Sequence, residues 1–144
     1  MTDTEAMKRC LRLAEKSRRE GNHPFGSVIT GAGGELIAEG RNKEVTERDP
    51  TWHAETHAIK EALRSLKARS LEGYTIYTNG EPCLMCSMII RRMGLSRVVY
   101  GASSSSPTRV TPHPLLDVDP YDTPLPRVES GLLEEESLRI QGRL

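Results

Sequence analysis

Two short stretches constrain this chain more than any others: His53-Ala54-Glu55 and, further on, Pro82-Cys83-Leu84-Met85-Cys86. Between them they carry one histidine, two cysteines and one carboxylate. A histidine and two thiolates fill three corners of a tetrahedral zinc ion and leave the fourth open, which is the ligand count of a catalytic site. Each stretch reads as the first turn of a helix. Any fold of this chain must therefore aim two helix amino termini at one point.

Cys83-x-x-Cys86 alone is weak, because closed zinc knuckles and redox dithiols share that spacing. The joint pattern, with 26 residues between Glu55 and Pro82, is specific. H-x-E followed by P-C-x-x-C marks zinc deaminases that act on bases. The positive ends of the two helix dipoles favour the thiolate forms of Cys83 and Cys86. Glu55 stands too close to His53 to ligate beside it, but it can reach a water in the open position and shuttle that water's protons. Attack on an amidine-like carbon with loss of ammonia is the reaction these parts suit. A closed structural site needs a fourth protein ligand, and Cys10 lies on the apolar stripe of another helix. It is expected to be a buried core residue.

The remaining histidines rank lower. His57 follows His53 by four residues, but the zincin order requires glutamate next to the first histidine. It is expected to be structural or solvent-facing. His23 and His113 sit in turns beside proline and read as surface loop residues. His23, just before Pro24-Phe25-Gly26, is also placed to approach a pocket.

Periodicity predicts helices over residues 4–20, 51–67 and 82–93, with Thr4 as a cap and Gly21 and Gly94 as stops. Strands are predicted over 25–30, 35–41, 74–78 and 97–100, with residues 31–34 as a hairpin loop and 79–81 looping out. A short strand at 127–129 and a helix at 132–140 close the chain. This order implies an α/β sandwich with a mixed sheet in one domain. Residues 103–126 hold a serine run and Pro107, Pro112, Pro114, Pro120, Pro124 and Pro126. They are expected to form an ordered, irregular connection packed over the domain.

Composition excludes some partners. Twenty basic and twenty acidic residues cancel, which argues against a broad phosphate-tracking face. No apolar run approaches membrane-spanning length and no secretory leader is visible, so a cytoplasmic protein is expected, with no membrane partner.

These residues resemble the cytidine and deoxycytidylate deaminase superfamily, in its branch of guanine deaminases, yeast-type cytosine deaminases and tRNA adenosine deaminases. The likeness covers residues 5–101 and includes Pro24-Phe25-Gly26, Arg41-Asn42, Asp49-Pro50-Thr51, Glu81 and Arg97-Val98-Val99-Tyr100-Gly101-Ala102. It implies a three-layer α/β/α sandwich with a five-stranded mixed sheet, commonly a homodimer. It also implies Zn2+ on His53, Cys83 and Cys86, with Glu55 as the catalytic proton shuttle. Asn42 then falls at the base-holding position, and Phe25 at a pocket wall, with His23 nearby. Trp52 stands where the family usually has a small residue; it is either a core or interface anchor or another pocket wall. The region 103–126, which relatives use to close the pocket, has no aligned counterpart.

The expected activity is hydrolytic deamination of a free nucleobase, guanine-like ahead of cytosine. tRNA wobble adenosine deamination is the enzymatic alternative, with nucleic acid disfavoured by the charge balance and the missing basic tail. A zinc-stabilised interaction module is the non-enzymatic one.

Overall fold

The structure, a computed structural model, describes residues 1–104, 115 and 124–144. The predicted connection at 103–126 and His113 therefore lie largely outside the described residues. The elements are α1 (Asp3–Arg19), β1 (Gly26–Thr30), β2 (Leu36–Arg41), α2 (Ala54–Leu66), β3 (Thr75–Gly80), α3 (Leu84–Met93), β4 (Arg97–Ala102), β5 (Arg127–Ser130) and α4 (Glu134–Ile140).

The strands form one five-stranded sheet in the order β2-β1-β3-β4-β5. β1 runs antiparallel to β2 and β3, whereas β3, β4 and β5 are parallel. Successive strand residues face opposite sides, and the sequence uses this alternation to build two cores. Ile29, Ile76 and Val98 face α2 and α3, where Ala58, Ile59, Ala62 and Ile90 meet them. Val28, Tyr77 and Val99, the next residue in each direction, face Ala6, Met7 and Cys10 of α1. Leu132 and Leu133 at the start of α4 pack against that second cluster. The expected three-layer sandwich is present, and Cys10 is fully buried.

Several boundaries differ from expectation for identifiable reasons. α1 begins earlier because Thr2, not Thr4, caps it: the Thr2 hydroxyl accepts from Glu5 N–H, and Glu5 returns a bond to Thr2 N–H. β3 runs through Asn79 and Gly80, which were expected to loop out. Asn79 is fully buried and clamps the entry to β1: its Oδ1 accepts from Gly26 N–H at 2.8 Å and its Nδ2 donates to Pro24 O at 3.0 Å. α2 begins at Ala54 instead of Thr51. The Asp49 carboxylate accepts from Thr51 N–H at 2.9 Å, holding a turn ahead of the helix.

Gly40 lets α2 approach the sheet closely. A Cβ there would lie 2.5 Å from both Ala54 O and Ala58 N, backbone atoms of the first turns of α2. At the far edge, Arg97 of β4 joins α1 and β5 by pairing with Asp3 at 2.6 Å and with Glu129.

The Asp3 carboxyl is held down to about 2, first by its hydrogen bond from Arg97 and then by one from Tyr77. A depressed carboxylate pKa adds stability above the ordinary value and loses it as pH falls through the folded one. Asp3→Asn should therefore lower stability at neutral pH, by about 1 kcal/mol at most given the exposure of the pair. Urea denaturation at stepped pH should show the difference from wild type shrinking between about pH 4 and pH 2.

Candidate active site

The site forms where α2 and α3 start. His53 is the residue before the first turn of α2, in extended conformation with φ −87° and ψ 163°. Its N–H donates to Thr56 Oγ1 at 3.0 Å, and that hydroxyl donates to Thr51 O at 2.6 Å. Cys83 holds the equivalent position on α3, with φ −68° and ψ 174°. Ser87 N–H donates to Cys83 O at 2.8 Å, which sets the first turn and turns Cys86 inward. Cys86 is fully buried, while Cys83 is exposed.

The three side chains meet. His53 Nδ1 lies 3.6 Å from Cys83 Sγ and 3.5 Å from Cys86 Sγ, and the three ligand atoms all fall within 4.8 Å of one another. Zinc bonds of roughly 2.0–2.3 Å at tetrahedral angles put neighbouring ligand atoms roughly 3.6 Å apart. The two histidine–sulfur sides of the triangle thus match the spacing zinc requires. Among the described residues no fourth His, Cys, Asp or Glu joins this cluster. Cys10 is packed into the other core. One corner is left for a small molecule.

The two thiols and the imidazole share protons across this triangle. Hydrogen bonding from Cys86 and then from His53 brings the Cys83 thiol down to about 4 against the cost of burial. Cys86 moves upward as the donor of the same bond, so the pair holds one thiolate. His53 is pushed up to about 9, chiefly by its hydrogen bond with Cys83. Glu55 is buried and its carboxyl is raised to about 7, with desolvation the leading cause. A carboxyl that titrates near neutral pH can both take and return a proton.

A cavity of about 190 Å³ opens beside this cluster, lined by His23, Phe25, Asn42, Glu44, His53, Ala54, Glu55, Gly80, Glu81 and Cys83. His53, Cys83, Glu55, Asn42, Phe25 and His23 are therefore brought together. Phe25 fits because Gly80 faces it: a Cβ at residue 80 would lie 2.7 Å from the ring. Asn42 is buried, and its Oδ1 accepts from Glu44 N–H at 3.0 Å, which settles the amide orientation.

Trp52 does not line this cavity. It lies along a second groove of about 370 Å³ with His57, Lys60, Arg64 and Ile89. There its ring meets His57 edge-on at 5.2 Å, with Lys43 Nζ 5.6 Å from its centroid. Glu44 and Glu81 are lining residues that the sequence reading did not single out. Glu81 belongs to the motifs that carry the family resemblance. Glu44 reaches His53 Nε2 with Oε1 at 2.7 Å.

A parallel β3-α3-β4 unit with a His-Cys-Cys triangle at a strand's carboxyl end, walled by a carboxylate and an amide, defines a metal-centred α/β enzyme site. Residues 1–102 match the model of the cytidine and deoxycytidylate deaminase zinc-binding region, and the chain belongs to that family. The chain is 44% identical to the guanine deaminase of Bacillus subtilis over 67% of its length and 62% of the relative's. It is 35% identical to a probable cytosine deaminase of Schizosaccharomyces pombe over 76% of its length and 65% of the relative's. It thus spans less than two thirds of these curated relatives. A solved structure from a study of A-to-I editing by tRNA:A34 deaminases superposes with a TM-score of 0.81 at 29% identity, covering 95% of this chain and 99% of the other.

The donor set and spacing fit zinc, and elemental analysis checks the fit. Protein purified without chelators should carry about one equivalent of zinc, and Cys83→Ser or His53→Ala should lose most of it while far-UV circular dichroism is retained.

Proposed function

We propose that this chain is a zinc-dependent hydrolytic deaminase of a free nucleobase or similar small aminated heterocycle, with guanine-like bases ahead of cytosine. The observation that carries the reading is a single cavity lined by His53, Cys83, Glu55, Asn42 and Phe25. Drug-sized ligands fill cavities of roughly 300–1,000 Å³; about 190 Å³ suits one flat ring system. The 44% identity to a guanine deaminase supports the purine preference.

His53, Cys83 and Cys86 hold the metal in this reading. Zinc supplies a Lewis acid that makes water nucleophilic near neutral pH. Glu55 would take one proton from the attacking water and deliver it to a ring nitrogen, then carry the second, from the hydroxyl so added, to the amine, which leaves as ammonia. Water's oxygen becomes the product carbonyl, so the reaction consumes one water per ammonia released. Burial of Glu55 raises its affinity for a proton. Asn42 donates from Nδ2, since Oδ1 already accepts from Glu44 N–H. Phe25 covers the base from the side.

The second reading, deamination of a tRNA adenosine, is favoured by the near-complete overlap with the tRNA deaminase structure. Such enzymes also receive a single extruded base, so cavity size does not separate the two. A panel does: ammonia release from guanine, cytosine and adenine, beside inosine formation in tRNA at stepped salt. Turnover of a free base with none on tRNA supports the leading reading, and the reverse outcome selects the second. Glu55→Gln should keep zinc and lose at least about a hundredfold in kcat. Unchanged turnover in that variant would sink the mechanism, and zinc binding with no turnover on any substrate would favour a zinc-stabilised interaction module.

A second copy of the chain is the proposed occupant of the groove beside Trp52. There Trp52 Nε1 and His57 Nδ1 are buried without hydrogen-bond partners among the described residues. Sedimentation velocity should show a dimer, and Trp52→Ala should shift it toward monomer. A monomeric wild type would remove this assignment.

A further inference from the structure

Among the described residues, Glu44 is the acidic side chain in the cavity that touches a member of the metal triangle through the atom facing away from the triangle. His53 turns Nδ1 to the two sulfurs, at 3.6 and 3.5 Å. Its other ring nitrogen, Nε2, lies 2.7 Å from Glu44 Oε1. A short contact between ring nitrogen and carboxylate requires the proton to sit on Nε2, because a carboxylate offers only acceptors. In the neutral ring that tautomer leaves the lone pair on Nδ1, where a metal needs it.

The loop that delivers Glu44 is built for the purpose. Its N–H donates to Asn42 Oδ1 at 3.0 Å, and its carbonyl accepts from Asp49 N–H at 3.0 Å. The next two amides, of Val45 and Thr46, donate to Asn22 Oδ1 at 3.1 and 3.0 Å. Lys43 N–H ties the loop to Trp52 O, directly before His53 in the chain, at 3.2 Å. The two asparagines fix the loop on both sides of Glu44, and the Lys43 tie holds it to the segment that carries the histidine. The second carboxylate oxygen, Oε2, faces His23 Nε2 at 3.5 Å. Glu44 side-chain exposure is 29%, which is partial shelter for the contact to His53.

We propose that Glu44 is the positioning residue for His53: it selects the Nε2–H tautomer, fixes the ring plane and strengthens Nδ1 as a metal ligand. It does not touch the reacting atoms. The alternative is a surface ion pair to a protonated His53 that exists only without metal and contributes nothing to holding it. The inference rests on the metal site proposed above, and the two can fail separately.

Zinc affinity distinguishes these cases without reference to turnover. Full-length protein stripped of metal is titrated with zinc against a chromophoric chelator of known affinity, with circular dichroism as the check on folding. Loss of an outer partner of a ligating histidine costs about 10–100-fold in metal affinity, and Glu44→Ala should fall in that range. Glu44→Gln, which keeps an acceptor oxygen at the same reach, should recover most of the loss. Glu47→Ala, an exposed change on the same loop, should match wild type. Long-range 1H–15N correlation spectra of the zinc-loaded protein should show His53 protonated at Nε2 in wild type and in Glu44→Gln. If Glu44→Ala does not fold, Glu44→Asp, whose carboxylate is withdrawn by one methylene, is read in its place. Folded Glu44→Ala with wild-type zinc affinity overturns the inference alone. Wild-type protein that takes up no zinc overturns the metal site and this inference with it.

Discussion

Three ligand atoms from two different helices must stay about one ligand-ligand spacing apart, and most of this fold serves that requirement. His53 and Cys83 are both residues that precede a helix, so each has extended backbone and a side chain free of the helical turn. Two helix starts can converge only if the helices lie on the same face of the sheet. The β3-α3-β4 crossover and the packing of α2 on β1 and β2 put them there. The helix dipoles then add a positive field where thiolates must sit. Placement and electrostatics come from the same arrangement.

Small residues set the distances. Gly40 removes the Cβ that would hold the first turns of α2 away from β2, so His53 and Glu55 move with the helix to the sheet's end. Gly80 does the same for Phe25, and Asn79 pins the backbone before and after Phe25 through Pro24 O and Gly26 N–H. A pocket wall on a loop is thereby held almost as firmly as one on a strand. Closely fixed walls are what a small cavity needs, because any shift is large against one ring's width.

The metal triangle and Glu55 were legible because the chemistry demands particular residue types at particular spacings. The two cores were legible because pairs such as Val28-Ile29, Ile76-Tyr77 and Val98-Val99 are apolar at both positions, as strands covered on both faces require. Asn79-Gly80 was misread as a loop for a physical reason: both residues carry turn propensity, and only tertiary contact reveals Asn79 as a strand residue whose amide replaces missing ladder bonds. The later start of α2 depends on the Asp49 turn and the Thr56 hydroxyl, which compete with the helix for the same amides. Trp52 and Glu44 were undecidable at that level. Adjacent to His53, Trp52 faces away from the cavity; nine residues before it, Glu44 faces in. Sequence distance carries no information about either.

The cavity's charge pattern bears on what can enter. Two thiolates around a dication and a neutral imidazole come to about zero. Glu44, Glu55 and Glu81 then make the remaining lining predominantly acidic, with His23 exposed at the rim. Such a lining repels a phosphate and favours a group that gains a proton. Nearby, Arg143 lines a separate groove with Phe25, Gly80 and Glu81, so a basic side chain lies beyond the acidic lining. The two regions meet at Phe25, Gly80 and Glu81, which line both.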